Sequence, residues 1–114
     1  MEPLTLQADA LPWQPHSRFQ GVWTKVLISS QVNPTLSLHL VKVEPNSAIE
    51  PHVHSGSAET FMVISGKGAC FIAGKWVDFG PGDCAFAPAG VEHGVQNRGD
   101  EPLILVAIFT PPLV

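Results

Sequence analysis

The sequence predicts an all-β fold, a sandwich or small barrel, in a single domain. Ten glycines and eleven prolines among 114 residues leave little room for helices. Between them lie short runs rich in Val, Ile, Leu and Phe, the residues that favour a pleated, half-buried surface. With 45% hydrophobic and 14% charged residues, the chain can bury a core and does not have the low-hydrophobicity, high-charge signature of disorder.

The strands are predicted in order over residues 21–29, 36–43, 59–65, 68–74, 83–88, 93–97 and 103–109. The breaks are "NPT", "EPNS", "SGK", "AGK", "FGPGD", "PAG" and "NRGDEP", each a turn signal containing Gly, Pro, Asn or Asp. Such even spacing of short strands suits a closed or double-layered β structure. No segment reads as a helix, and no repeat or linker divides the chain. Residues 1–20 read as an irregular N-terminal arm and residues 21–114 as the barrel. Leu11, Trp13 and Phe19 of the arm are expected to lie against the barrel or against a second subunit.

Composition excludes several functions. A net charge of −4 with no basic cluster argues against nucleic acid as a partner. No apolar run approaches the roughly 20 residues that span a bilayer. The opening "MEPLTLQADALPWQP" is acidic and broken by proline, unlike a signal peptide. The expected compartment is therefore the cytoplasm, with Cys70 and Cys84 reduced and buried.

The chemistry concentrates in "IEPHVHSGSAETF", residues 49 to 61. On a strand, residues 52 and 54 share a face with Cβ atoms about 6.6 Å apart, close enough for His52 and His54 to converge on one ion. "SGSA" turns the chain, and Glu59 returns on the next strand. A fourth ligand can come from His93, which follows the tight turn of Pro88 and Gly90 in "GDCAFAPAGVEHGVQN". Three imidazoles and a carboxylate suit Fe(II), Mn(II), Zn(II), Ni(II) or Cu(II).

These two stretches resemble the paired signature motifs of the cupin superfamily, as found in small single-domain members. The first, G-x5-H-x-H-x3–4-E-x6-G, is matched by Asn46, His52, His54, Glu59 and Gly66; the second, G-x5-P-x-G-x2-H-x3-N, by Gly82, Pro88, Gly90, His93 and Asn97. The one departure is Asn46 for the opening glycine, at a turn where Asn also tolerates a left-handed backbone. The resemblance implies a double-stranded β-helix, or jelly-roll barrel, of two facing antiparallel sheets. It also implies one divalent metal ion per chain, held by His52, His54, Glu59 and His93, and a homodimer.

Other residues read as structural. His39, flanked by Leu38 and Leu40, is expected to face solvent or an interface. His16 has no partner at ligand spacing. Asn97 is expected to hold backbone by hydrogen bonds, and Gly66, Gly82 and Gly90 to occupy turns of unusual φ. Glu50 and Glu92 alternate away from the ligands. Counting in twos from Glu59 and His93 places Phe61, Val63 and Val95 as the apolar wall of a pocket. Cys84 and Phe86 share a face, but alternation does not say which.

The expected function is a metalloenzyme acting on a small organic molecule bound at open metal positions. Such a molecule would be a β-dicarbonyl or enol-like compound, or an oxygenated aromatic ring. It would be a dioxygenase if the ion is iron, or a redox-neutral isomerase or lyase if the ion serves as a Lewis acid. Glu59 is expected to be a ligand, with a role as proton acceptor also open. A non-catalytic small-molecule or metal sensor is the alternative. A homodimer is expected to bury Trp13, Phe19, Trp23 and the C-terminal "IFTPPLV".

Overall fold

The computed structural model describes residues 2–114, so Met1 of the predicted arm lies outside the described residues. Ten strands form two antiparallel sheets: β1 (Gln14–Pro15), β2 (Val22–Ile28), β3 (Ser37–Val43), β4 (Ala48–His52), β5 (Ala58–Ser65), β6 (Gly68–Ile72), β7 (Lys75–Phe79), β8 (Cys84–Ala87), β9 (His93–Asn97) and β10 (Leu103–Thr110). The larger sheet runs β1-β2-β3-β10-β5-β8 and the smaller β4-β9-β6-β7. The jelly-roll architecture expected from the sequence is the one observed. Each predicted strand has a counterpart, and the "AGK" turn ends β6 at Ile72.

Three strands lie outside the predicted ranges, β1, β4 and β7, although the ligand spacing already set His52 on a strand. All are sheet edges, where one row of backbone groups needs no partner strand and hydrophobic alternation is weakest. Strand β4 contains Pro51, which a central strand would exclude because it cannot donate a ladder hydrogen bond. A single 3₁₀ turn, Ala8–Ala10, is the one helical element among the described residues.

The core lies between the sheets and draws on both, including Val22, Val43, Val63, Leu103 and Leu105 from the larger and Cys70, Phe79 and Val95 from the smaller. Register orders the inner face of the larger sheet into rows. Ser37, Phe109, Glu59 and Ala87 form one, and His39, Ala107, Phe61 and Ala85 the next. The left-handed turn positions hold: Asn46 has φ 64°, and Gly66 has φ 93°. A Cβ at Gly66 would stand 2.7 Å from the Pro102 carbonyl oxygen, so only glycine fits between these two turns. Asn97 fastens the same end, donating to the Val43 and Glu101 carbonyls and accepting from the Gly99 N–H.

Two expectations are corrected here. His39 is not at the surface: it is 5% exposed, inside the barrel, with its ring edge-on to Phe109 at 5.0 Å. Cys84 is exposed rather than buried, on the outer face with Phe86, while Cys70 is buried; both are free thiols.

Candidate metal centre

Four elements bring the predicted ligands together at one end of the barrel. His52 ends β4, His54 follows it, Glu59 begins β5 and His93 begins β9. One donor atom from each lies within 4.8 Å of every other. His52 Nε2 is 3.1 Å from His54 Nε2, and His93 Nε2 is 2.8 Å from Glu59 Oε1. His54 Nε2 stands 3.5 Å from the same oxygen.

Local structure explains the convergence. His52 faces His93 across the β4–β9 pair, and the register shifts between Ile49 and His52. Such an irregularity re-aims a side chain. Gly94 makes this close pairing possible, since a Cβ there would meet the Ile49 carbonyl oxygen at 2.7 Å and the Pro51 nitrogen at 2.9 Å. The sequence reading passed over Gly94, although a glycine inside a strand signals close backbone approach.

The hydrogen bonds behind the imidazoles settle their chemistry. His52 Nδ1 donates to the Glu50 carbonyl at 2.8 Å, and His93 Nδ1 to the Val91 carbonyl at 2.9 Å. A carbonyl can only accept, so both Nδ1 atoms carry protons and both Nε2 lone pairs face inward. His52 Nε2 then faces the Nε2 of another imidazole, and His93 Nε2 faces a carboxylate. A neutral His54 can donate Nε2–H to His52, but His93 Nε2 and the Glu59 carboxylate are both acceptors, and at 2.8 Å they need a shared cation, a proton or a metal ion. Ligands about 2.1 Å from one ion stand about 3.0–3.4 Å apart on adjacent corners of an octahedron or tetrahedron. The observed spacings bracket that range, so the donor set fits a single divalent ion.

The titration of these groups has the same origin. Burial pushes the Glu59 carboxyl up, but hydrogen bonds from His54 and His93, and their positive charge, outweigh it and hold it down at about 2. Burial pulls His93 down, yet its bonds to Glu59 and Val91 prevail and raise it. His52 is lowered, mainly by burial, against the opposing bond to Glu50.

Aromatic rings enclose the centre. Phe109 packs edge-on to His54 at 5.2 Å, and Phe61 lies 5.9 Å from His93. Val63 and Val95 share the inward faces as expected but belong to the sealed core, with 1% and 3% exposure, so they underlie the site rather than line an opening. The arm contributes what the sequence did not reveal. Phe19 stands 5.6 Å from His52 and 4.9 Å from His16, and the Arg18 guanidinium lies over the Phe19 ring at 5.2 Å. One cation, Arg18, and a fourth histidine, His16, thus sit at the rim. Glu50 and Glu92 point out to solvent.

His39 is the other polar group on the inner face near the site. Its Nε2 is 2.8 Å from Ser37 Oγ, which accepts from the Leu113 N–H at 2.9 Å. The buried Ser37 hydroxyl and His39 Nε2 are thus each other's hydrogen-bond partners. Among the described residues Trp23 Nε1 is the only sealed side-chain polar atom without a partner.

The sequence model of the cupin domain matches residues 39–109, more than half of the chain and the whole ligand set. The chain belongs to the cupin family. Among its cupin relatives, oxalate decarboxylase OxdC of Bacillus subtilis is 33% identical over 84 residues, covering 69% of this chain and 22% of that protein. An oxalate-binding protein of Thermotoga maritima is 31% identical over 69 residues, covering 60% of this chain and 57% of the relative. The chain thus spans less than two thirds of either. A solved structure described as a predicted oxalate decarboxylase of T. maritima superposes with a TM-score of 0.86 at 24% identity, over 95% of this cupin and 99% of that chain. That last likeness establishes the fold. No helix among the described residues is long and apolar enough to cross a membrane.

Proposed function

We propose that this cupin holds one divalent metal ion through His52, His54, Glu59 and His93 and uses it to bind and transform a small molecule that chelates through two oxygens. The observation that carries the reading is the pair of inward Nε2 lone pairs on His52 and His93, fixed by carbonyls behind them and converging on a carboxylate held ionised. When bound, such an ion acts as a Lewis acid on a carbonyl or carboxylate oxygen.

The chain's own residues supply the rest. Phe19, Phe61 and Phe109 restrict water around the centre, which strengthens every charge interaction there. No Lys or Arg lies among the four ligands; Lys25 is turned outward, donating to the Ala8 carbonyl. Arg18, over the Phe19 ring that packs beside His52, is a cation placed to meet an incoming anion. The two relatives named for oxalate favour a small dicarboxylate over a neutral diketone, and Arg18 suits the same choice. Glu59, ionised and bonded to two imidazoles, reads as a ligand rather than a free base.

Binding without turnover is the second reading, favoured by the relative that is named for binding alone. Protein loaded in turn with Fe(II), Mn(II), Zn(II), Ni(II) or Cu(II) decides between them. Calorimetry with oxalate should show binding only after metal loading. Product analysis then separates enzyme from binder, and oxygen consumption with a β-diketone tests the dioxygenase expectation. Failure to retain about one metal ion per chain, or oxalate binding indifferent to metal, would overturn the proposal.

A further inference from the structure

The N-terminal arm is fastened to its own barrel before it reaches the metal centre. Lys25, 6% exposed, donates from Nζ to the Ala8 carbonyl at 2.8 Å and lies 4.6 Å from the centre of the Trp13 ring. A charged hydrogen bond and a cation–π contact thus hold the arm from beneath. Gln14 and Pro15 pair with β2, and the His16 N–H donates to the Val22 carbonyl at 2.8 Å.

The turn that follows is built on one imidazole. His16 Nδ1 lies 3.0 Å from the Arg18 nitrogen and 3.3 Å from the Phe19 nitrogen. A backbone N–H only donates, so Nδ1 accepts from both and the ring is neutral, with its proton on Nε2. Burial, and behind it the charges of Arg18 and His54, lowers the pKa of His16 and favours the same state. The turn sets the next two side chains. Phe19 packs on the core and stands 5.6 Å from the His52 ring, and the Arg18 guanidinium lies over Phe19 at 5.2 Å. Among the described residues no carboxylate forms an ion pair with Arg18. None of the four metal donors is hydrogen-bonded to it either. A molecule that touches both the ion and Arg18 must therefore extend past the Phe19 ring.

Given the metal-bound reading above, on which this rests, we infer that Arg18 determines the specificity of the centre and that His16 positions it. The substrate is a dicarboxylate that chelates through one carboxylate and a neighbouring hydroxyl or oxo oxygen, while its second carboxylate pairs with Arg18. Oxalate places both of its carboxylates on the ion and leaves Arg18 no separate charge to meet. The planar guanidinium matches a carboxylate with two parallel hydrogen bonds. A turn capped by His16 holds it ready, which reduces the ordering cost of binding.

Calorimetry on the full chain loaded with Zn(II), which does not change oxidation state, compares lactate with malate. Both chelate through a carboxylate and the adjacent hydroxyl, and only malate carries a second carboxylate. Malate should bind about tenfold more tightly or better, and added salt should shrink that advantage. Arg18→Gln should bring malate to the affinity of lactate, with lactate binding and Zn(II) content as in the parent. His16→Ala should lose the advantage as well. His16→Asn should recover part of it, because its side-chain oxygen can accept from the same backbone N–H groups. Equal affinity for lactate and malate in the parent overturns the inference, as does a malate advantage that survives Arg18→Gln or His16→Ala. Those outcomes leave the proposed function standing where oxalate or lactate binds only to the loaded protein. A Zn(II)-loaded chain that binds none of the three overturns both.

Discussion

Glu59 and His93, 34 positions apart in the chain, meet at 2.8 Å through one carboxylate oxygen and one Nε2. Because the other nitrogen of His93 is committed to the Val91 carbonyl, this contact needs a cation between or upon the two groups. His93→Ala or His52→Ala should therefore lower metal affinity by more than the roughly 10–100-fold that loss of a supporting contact costs. Metal content of purified protein measures it, with circular dichroism showing the fold retained. Full occupancy in the double variant would refute the assignment.

The pH dependence follows from the same contact. Glu59 titrates at about 2 in the metal-free fold against 4.5 ordinarily, so its contribution to stability is complete above pH 4.5 and lost as pH falls towards 2. His93 is raised, so its contribution is complete below 6.5 and lost as pH rises through its raised value. His52, lowered by burial, acts in the opposite sense and costs stability below 6.5. Thermal melts of metal-free protein should show a fall between about pH 5 and about pH 3 that Glu59→Gln greatly reduces. Metal affinity should decline as pH drops through the raised His93 value, because the ion must displace that proton. An acid-side slope identical in parent and Glu59→Gln would remove Glu59 from this role.

The ligand set was legible because its signal is spacing: H-x-H-x4-E and the turn before His93 survive without knowing which way any strand faces. His39 was not legible for a physical reason. Alternation divides "SLHLVKV" into two faces but does not say which is inside, and the rule that leucine goes in fails when the outer face is itself apolar. The extent of β4 was blurred by Pro51 and Glu50, and the approach of Arg18 and Phe19 to the site depends on how the arm folds back, which no local pattern records.

His39 offers a test of that inversion. His39→Leu keeps approximate volume but removes the hydrogen-bond partner of the buried Ser37 hydroxyl. An unsatisfied buried group costs about 1–3 kcal/mol, and each kcal/mol lowers the melting temperature of a domain this size by about 4–8 °C. Metal content should stay at the parent value, since His39 is not among the four donors. A variant that melts like the parent would place His39 at the surface, where the sequence first put it; one that loses its metal would make it part of the centre.

Gly94 gives the sharpest link between backbone and site. A Cβ there would stand 2.7–3.1 Å from three backbone atoms of β4, belonging to Ile49, Glu50 and Pro51. Backbone cannot rotate aside as a side chain can, so Gly94→Ala must push β4 away from β9. His52 ends β4 and pairs with His93, so the displacement reaches the metal donors directly. Metal affinity should fall by roughly tenfold, the lower end of what a lost orienting contact costs, with a drop in melting temperature. Gly74→Ala is the control: it sits at φ 79° in the β6–β7 turn, and a Cβ there meets nothing within 4 Å. It should lose stability from its strained backbone, about 1–3 kcal/mol, while binding metal as the parent does. Equal metal loss in both variants would show that general destabilisation, not displacement of His52, governs occupancy.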